Sequence, residues 1–249
     1  MKRIFLAVLS FLIIQNLYAN NPIVSPTFDS LLKEIIKDDK FIFDDKNIII
    51  KVPNFADNPI QVPIHVDAKN IKNAKRVIIF ADLNPIPKIV DMNLEKGLLP
   101  VISLNIKVAQ ETPLRALILD DKNIWHIGSK NIKSFGGGCS VSSVASGDSD
   151  YDKLLGKGKA DVFKYNDVYR IKSSIYHPME TGLIFGNTEF YINKIVLKAN
   201  NKEFGEILVY SAVSENPRFI FETAVDEKEY KLEFIDTDSN KFIQTINKE

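Results

Sequence analysis

Leu114-Arg115-Ala116-Leu117-Ile118-Leu119 is a short apolar run, Asp120-Asp121-Lys122-Asn123 interrupts it, and Ile124-Trp125-His126-Ile127 resumes it. Two apolar runs of strand length across a compact polar turn form a β-hairpin. Upstream, the same grammar repeats. In Val101–Ala109, Val101, Ser103, Asn105 and Lys107 oppose Ile102, Leu104, Ile106 and Val108, the period-2 pattern of a strand. Ile89–Leu94, Arg76–Ala81 and Ile48–Val52 are further strands, separated by the turn regions Asn84-Pro85-Ile86-Pro87 and Pro53–Pro59. Ile60, Val62, Ile64 and Val66 share a face, and Pro63 between them marks that strand as an edge or a bulge, because proline has no N–H for a ladder. About seven short strands with regular turns predict an all-β sandwich of immunoglobulin-like type.

One helix precedes the strands. Ser25-Pro26 suits an N-cap and a first helical turn. Phe28, Leu31, Leu32, Ile35 and Ile36 then fall on a single helical stripe, which predicts a short helix ending near Asp38–Lys40 and covering an apolar surface. Past residue 160 the chain is β again. Strands are predicted over Tyr169–Tyr176, Tyr191–Ala199, Gly205–Val213, Phe219–Val225, Tyr230–Ile235 and Phe242–Ile246, with no further segment of helical period. The fold class is therefore all-β: two immunoglobulin-like sandwich domains with a short N-terminal helix on the first. The predicted boundaries are 25–133 and 161–249, joined by 134–160, which holds six of the eleven glycines.

The 249 residues are 45% hydrophobic and 26% charged, with 32 basic and 32 acidic side chains. That balance offers no basic excess to attract nucleic acid. Lys2 and Arg3 followed by the apolar run Ile4–Ile14 and Leu17-Tyr18-Ala19 predict a secretory signal over residues 1–19. The run is short for a bilayer span, so a mature protein with a formal charge of −2, exported to a periplasm and not inserted in the membrane, is expected.

In such a compartment an unpaired thiol is unusual, and Cys139 is the only cysteine. It follows Gly136-Gly137-Gly138 and precedes a serine-rich run. Glycines beside a Ser/Gly/Asp tract predict a flexible arm that holds the sulfur clear of any core. Extended, the span from Lys133 to Cys139 would reach ~20 Å at ~3.3 Å per residue. From spacing alone Cys139 is either a working thiol or an incidental one in a linker. No base lies near it in sequence, so it is better suited to be a handle than a catalyst.

Other chemistry finds little support. His65, His126 and His177 are far apart and form no metal-ligating pair. No GxSxG, Walker or Rossmann pattern is present, and no cofactor is expected. His177-Pro178-Met179-Glu180-Thr181-Gly182 reads first as a tight turn with Gly182 at positive φ, and second as a surface for partners or for the first half; His177 is given no catalytic role.

Both halves resemble the two subunits of the SoxYZ carrier of bacterial sulfur oxidation, joined in one chain. Val52-Pro53, Ile60-Gln61-Val62-Pro63-Ile64, Asn84-Pro85-Ile86-Pro87 and the glycine-flanked Cys139 carry the SoxY likeness. His177–Gly182, Tyr191-Ile192-Asn193 and Ser214-Glu215-Asn216-Pro217 with Phe219 and Phe221 carry the SoxZ likeness. The resemblance implies a non-catalytic carrier whose Cys139 holds a sulfur intermediate, with Gly137 and Gly138 matching the glycines before the family's cysteine. It implies partner enzymes: a c-type haem protein, a sulfate-releasing hydrolase, and a sulfane dehydrogenase or quinoprotein dehydrogenase. Cys139 departs from the family's Gly-Gly-Cys-Gly-Gly tail, since Ser140-Val141 follows it and the segment is internal. The alternative is a β-sandwich adaptor in which Cys139 is silent.

Overall fold

The computed structural model describes residues 21–95, 97–143 and 151–248. The predicted signal segment 1–19 and the stretch 144–150 of the predicted linker lie outside the described residues. The chain starts with α1 (Phe28–Ile36), then runs through β1 (Lys40–Phe43), β2 (Ile49–Lys51), β3 (Val62–Asp67), β4 (Arg76–Ala81), β5 (Lys88–Leu94), β6 (Leu98–Ile106), β7 (Thr112–Leu119) and β8 (Ile124–Ile132). A 3-10 turn, Gly138–Ser140, and the four-residue α2 (Tyr151–Leu154) lead into the second half. There follow β9 (Gly158–Tyr165), β10 (Val168–Ile175), β11 (Glu180–Thr181), β12 (Glu189–Phe190), β13 (Ile192–Ala199), β14 (Lys202–Val209), β15 (Arg218–Thr223), β16 (Glu229–Asp236) and β17 (Lys241–Asn247).

The strands make the expected sandwich, and the two halves share it edge to edge. One sheet has the order β1-β8-β7-β4-β5-β14-β13-β16-β17, the second β2-β3-β6-β15-β10-β9, and β11 and β12 pair only with each other. Both cross the boundary between the halves. In the first sheet Val90 and Met92 of β5 stand opposite Val209 and Ile207 of β14. In the second, Ile102 of β6 stands opposite Phe221 of β15. The apolar side chains between the sheets form one continuous cluster that includes Val90, Met92, Ile102, Ile207, Val209 and Phe221. The seam is therefore core rather than a docking surface, stabilised by apolar burial and by two antiparallel ladders.

The Leu114–Ile127 hairpin forms as β7 and β8, with Leu119 opposite Trp125. Its turn is held by Asp120, whose Oδ1 accepts from the backbone N–H of Lys122 at 2.9 Å and of Ile124 at 2.8 Å. Asn123 takes the left-handed conformation, φ 59°, which asparagine tolerates. β4 is apolar from Val77 to Ala81 because both of its faces are covered there. Val77, Ile79 and Ala81 face the other sheet, whereas Ile78 and Phe80 lie under α1 with Phe28, Leu32 and Ile36. Each of those buried helix side chains contributes roughly 1.5–3 kcal/mol on apolar area. Pro63 is accommodated for a local reason: β2 ends with Lys51 opposite His65, so at Pro63 the strand has a neighbour only on the β6 side.

Candidate functional site

Cys139 is fully buried, at 0% relative exposure. The expectation of a sulfur held clear of the core is therefore corrected, and the glycines show why. Gly137 and Gly138 donate backbone hydrogen bonds to the carbonyls of Ala109 and Val108, both at 2.9 Å. A Cβ on Gly136 would run into the Ala109 carbonyl oxygen, and one on Gly138 into that of Pro59. Gly136 and Gly137 both have positive φ, 82° and 88°. The missing side chains serve close backbone approach here, a use of glycine that composition cannot separate from flexibility. The segment lies against the end of β6, and the 3-10 turn places Cys139 in the seam.

Polar groups of both halves lie around the Cys139 turn. Cys139 belongs to neither apolar cluster among the described residues. Thr181 Oγ1 donates to its carbonyl at 3.3 Å. Lys107, just past the end of β6, is 5% exposed, and its ammonium donates to the Met179 carbonyl and to the Ser211 carbonyl at 3.2 Å. Burial pushes Lys107 down to about 8, with Glu180, Cys139 and Glu215 pulling the other way. Burial pushes the Cys139 thiol up to about 11, and the charge of Lys107 opposes that rise. At neutral pH the thiol is protonated.

The second half supplies the cover. Ser143 ties the chain after the turn to two of its carboxylates, its N–H donating to Glu180 at 2.9 Å and its hydroxyl to Glu215 at 2.5 Å. Asn187 donates to Ser142 Oγ at 3.3 Å. The string His177–Gly182 forms this wall. Gly182 has φ 70°, as its turn reading expects, and Met179 has φ 53°. His177 is buried; its Nδ1 accepts from the Met179 N–H at 3.2 Å, which leaves the proton on Nε2, 3.6 Å from Asp236 Oδ2. Burial pushes His177 down to about 4, against the pull of Asp236. The imidazole is neutral and structural, with no contact to the thiol shown.

His65 and His126 lie elsewhere, hydrogen-bonded to Ser103 and Asp44, each at 2.8 Å. Among the described residues no group of three or more His, Cys, Asp or Glu side chains could hold a metal ion. Sequence reasoning missed Lys107, Glu180 and Glu215. Lys107 continues the polar face of its strand on paper; only the end of β6 at Ile106 turns it into the seam. Around the site, Phe135, Val141, Leu183 and Phe185 are exposed apolar side chains.

Residues 32–139 match the family model "Sulfur oxidation protein SoxY", so that Cys139 is the last residue matched. Residues 159–247 match "Sulphur oxidation protein SoxZ". No curated protein matches. Similar solved structures include the sulfur carrier protein SoxY from Chlorobium limicola f thiosulfatophilum, 20% identical, with a TM-score of 0.39 over 43% of this chain and 96% of that one. A β-glycosidase from Bacteroides vulgatus is 8% identical, with a TM-score of 0.23 over 82% of this chain and 25% of that one. A marsupial T cell receptor is 8% identical, with a TM-score of 0.24 over 82% and 62%. At these TM-scores none of the three structures carries weight beside the two family models, which between them take up most of the chain. This chain is a fused SoxYZ-type protein of sulfur oxidation, a SoxY domain followed by a SoxZ domain.

Proposed function

We propose that the protein is a periplasmic carrier that holds a sulfur intermediate covalently on Cys139 and presents it to partner enzymes. The observation that carries this reading is the position of Cys139: the sole cysteine, at the end of the SoxY match, on a turn bonded to both halves. Loading by thiosulfate joins the Cys139 sulfur to the sulfane sulfur, releases the thiol proton and passes two electrons to an oxidant. A c-type haem protein suits that role. Water then releases sulfate and leaves a persulfide on Cys139. This chain supplies the attachment point, and the partners supply the redox and hydrolytic chemistry.

Such use requires the turn to leave its recess. The described bonds to break are those of Gly137, Gly138, Thr181, Ser142 and the two of Ser143. At roughly 0.5–1.5 kcal/mol net each, the opening costs on the order of 3–9 kcal/mol. Docking of a partner on the exposed Phe135, Val141, Leu183 and Phe185 would offset it. The charged start Lys2-Arg3 and the apolar run after it support export.

The burial of Cys139 favours a second reading, an adaptor whose thiol is silent. One experiment separates the two. The protein is incubated with thiosulfate or sulfide and an extract containing the partners, and the Cys139 peptide is weighed. A sulfur-bearing mass that vanishes in Cys139→Ser supports the carrier. Full pathway activity with Cys139→Ser supports the adaptor.

A further inference from the structure

The outer face of the second sheet handles charge differently at its two ends. At one end the buried Glu222 of β15 is matched by Lys69 at 2.6 Å and by Arg170 of β10 at 2.5 Å. At the other end Lys159 of β9, Lys172 of β10 and Arg218 of β15 are exposed. Among the described residues none of these three has a carboxylate at ion-pair distance. The register gathers them. Ser174 stands between Lys159 and Arg218, and Lys172 stands between Asp161 and Ile220. Lys172 therefore has both other cations as diagonal neighbours, ~7–8 Å away, where like charges repel. A basic composition does not explain the cluster, because the chain has 32 basic and 32 acidic side chains.

The three cations line one open groove of about 650 Å³, with Ala160, Asp161, Ser174 and Ile220 among its other walls. Asp161 is the one acid in it, and its Oδ1 accepts from the Val162 N–H at 2.9 Å. Cations on three strands spaced ~4.8 Å apart, with apolar surface between them, suit an extended acidic segment better than one small ion. The place also fits. β10 runs on into His177, and Arg218 follows Glu215-Asn216-Pro217. Those two stretches lead into the wall of the Cys139 turn, where Thr181 Oγ1 donates to the Cys139 carbonyl and Glu215 accepts from the Ser143 hydroxyl.

We propose that this groove is a docking surface for an acidic, extended segment of a partner enzyme, whose carboxylates meet Lys159, Lys172 and Arg218 while the enzyme engages the Cys139 turn. The inference rests on the carrier reading, since it gives the chemistry of a partner which that reading requires. Charge complementarity of this kind sets encounter rate and partner choice more than raw affinity.

Fluorescence anisotropy of the full chain with a labelled peptide of alternating Glu and Val tests the groove without cargo. The peptide binds at low salt and dissociates as salt screens the charges. Combining Lys159→Gln, Lys172→Gln and Arg218→Gln raises its dissociation constant about tenfold, at about twofold for each exposed pair. Combining Lys46→Gln, Lys122→Gln and Lys202→Gln removes the same charge at exposed positions off the groove and changes the constant by less than about twofold. With the partner extract and thiosulfate, the groove variant gains its Cys139 adduct about tenfold more slowly than the parent at low salt, because the lost charges steered the encounter. Equal losses in the two triple variants overturn the proposal, as does an unslowed adduct in the groove variant. Equal binding of the peptide with Gln in place of Glu overturns it too. Sulfate bound as tightly as the peptide assigns the groove to a small anion, and a parent dimer that the groove variant dissolves in sedimentation assigns it to a second copy; either result overturns it. If the parent gains no adduct, the carrier reading has failed, and the peptide alone decides the groove. Where circular dichroism shows that the groove variant has not folded, Lys172→Gln replaces it, and an unchanged dissociation constant overturns the proposal.

Discussion

Two buried cations, Arg115 and Lys107, lie in the SoxY domain and are treated in opposite ways. Arg115, on β7 beneath α1, meets a dedicated counter-ion: its Nε and Nη2 donate to the Asp82 carboxylate at 2.9–3.2 Å. The rest of its fork donates to Asn21, Ser129 and the Ile23 carbonyl, and the Phe28 ring lies 4.3 Å away. Nothing in that cluster is reactive, and every partner is neutralised or satisfied. Lys107 has carbonyls in place of a counter-ion. Arg115 is matched by a carboxylate within its own domain, whereas Lys107 is matched by backbone carbonyls of the other domain and so ties the two together.

The largest expected effect breaks the scaffold side of the comparison. Arg115→Met leaves Asp82 charged and buried without its partner, and urea unfolding should show a loss of about 3–5 kcal/mol. Arg115→Met with Asp82→Leu should regain most of it, because neither charge is then stranded. Next comes the imidazole beside Lys107. His177 is held near 4 against an unfolded value of 6.5, so the unfolded chain takes up its proton first. Stability should fall as the pH drops from 6.5 towards 4, by roughly 3 kcal/mol at ~1.36 kcal/mol per unit, and His177→Gln should flatten that slope in acid titrations followed by circular dichroism.

The glycines sharpen the picture of the recess. Gly138→Ala collides with the Pro59 carbonyl, whereas Gly137→Ala meets open space and only the strain of its positive φ. Thermal unfolding should show about 1 kcal/mol for Gly137→Ala and clearly more for Gly138→Ala. A mobile tether would give two small and equal values. The smallest effect is expected at Lys107: Lys107→Met should change stability by less than about 1 kcal/mol, since two carbonyl bonds are lost and one desolvated ammonium is relieved. A loss near that of Arg115→Met would make the two cations alike and dissolve the distinction.

Strand patterning made the sandwich readable, because each element shows one apolar face or, in β4, two. The helix was equally plain from Phe28, Leu32 and Ile36. β1 and β9 were not foreseen: Lys40–Phe43 is short, and Gly158–Tyr165 lies partly in a segment read as linker. The edge-to-edge join was beyond reach, since period-2 patterns say which face is apolar and not which edge is paired. The same holds for the site. Cys139 was conspicuous by its uniqueness, but three glycines in a row are consistent with a free arm and with a backbone wedged against carbonyls. Lys107 was hidden because its burial is set by a neighbour 72 residues away.

The continuity of both sheets across the join bears on dilution. A carrier assembled from separate polypeptides loses its recess once the concentration falls below the dissociation constant. Here the partner domain is tethered on the same chain, at an effective concentration of about millimolar for a short linker. The setting of the thiol, on a turn bonded to both domains, is then independent of how much protein the compartment contains.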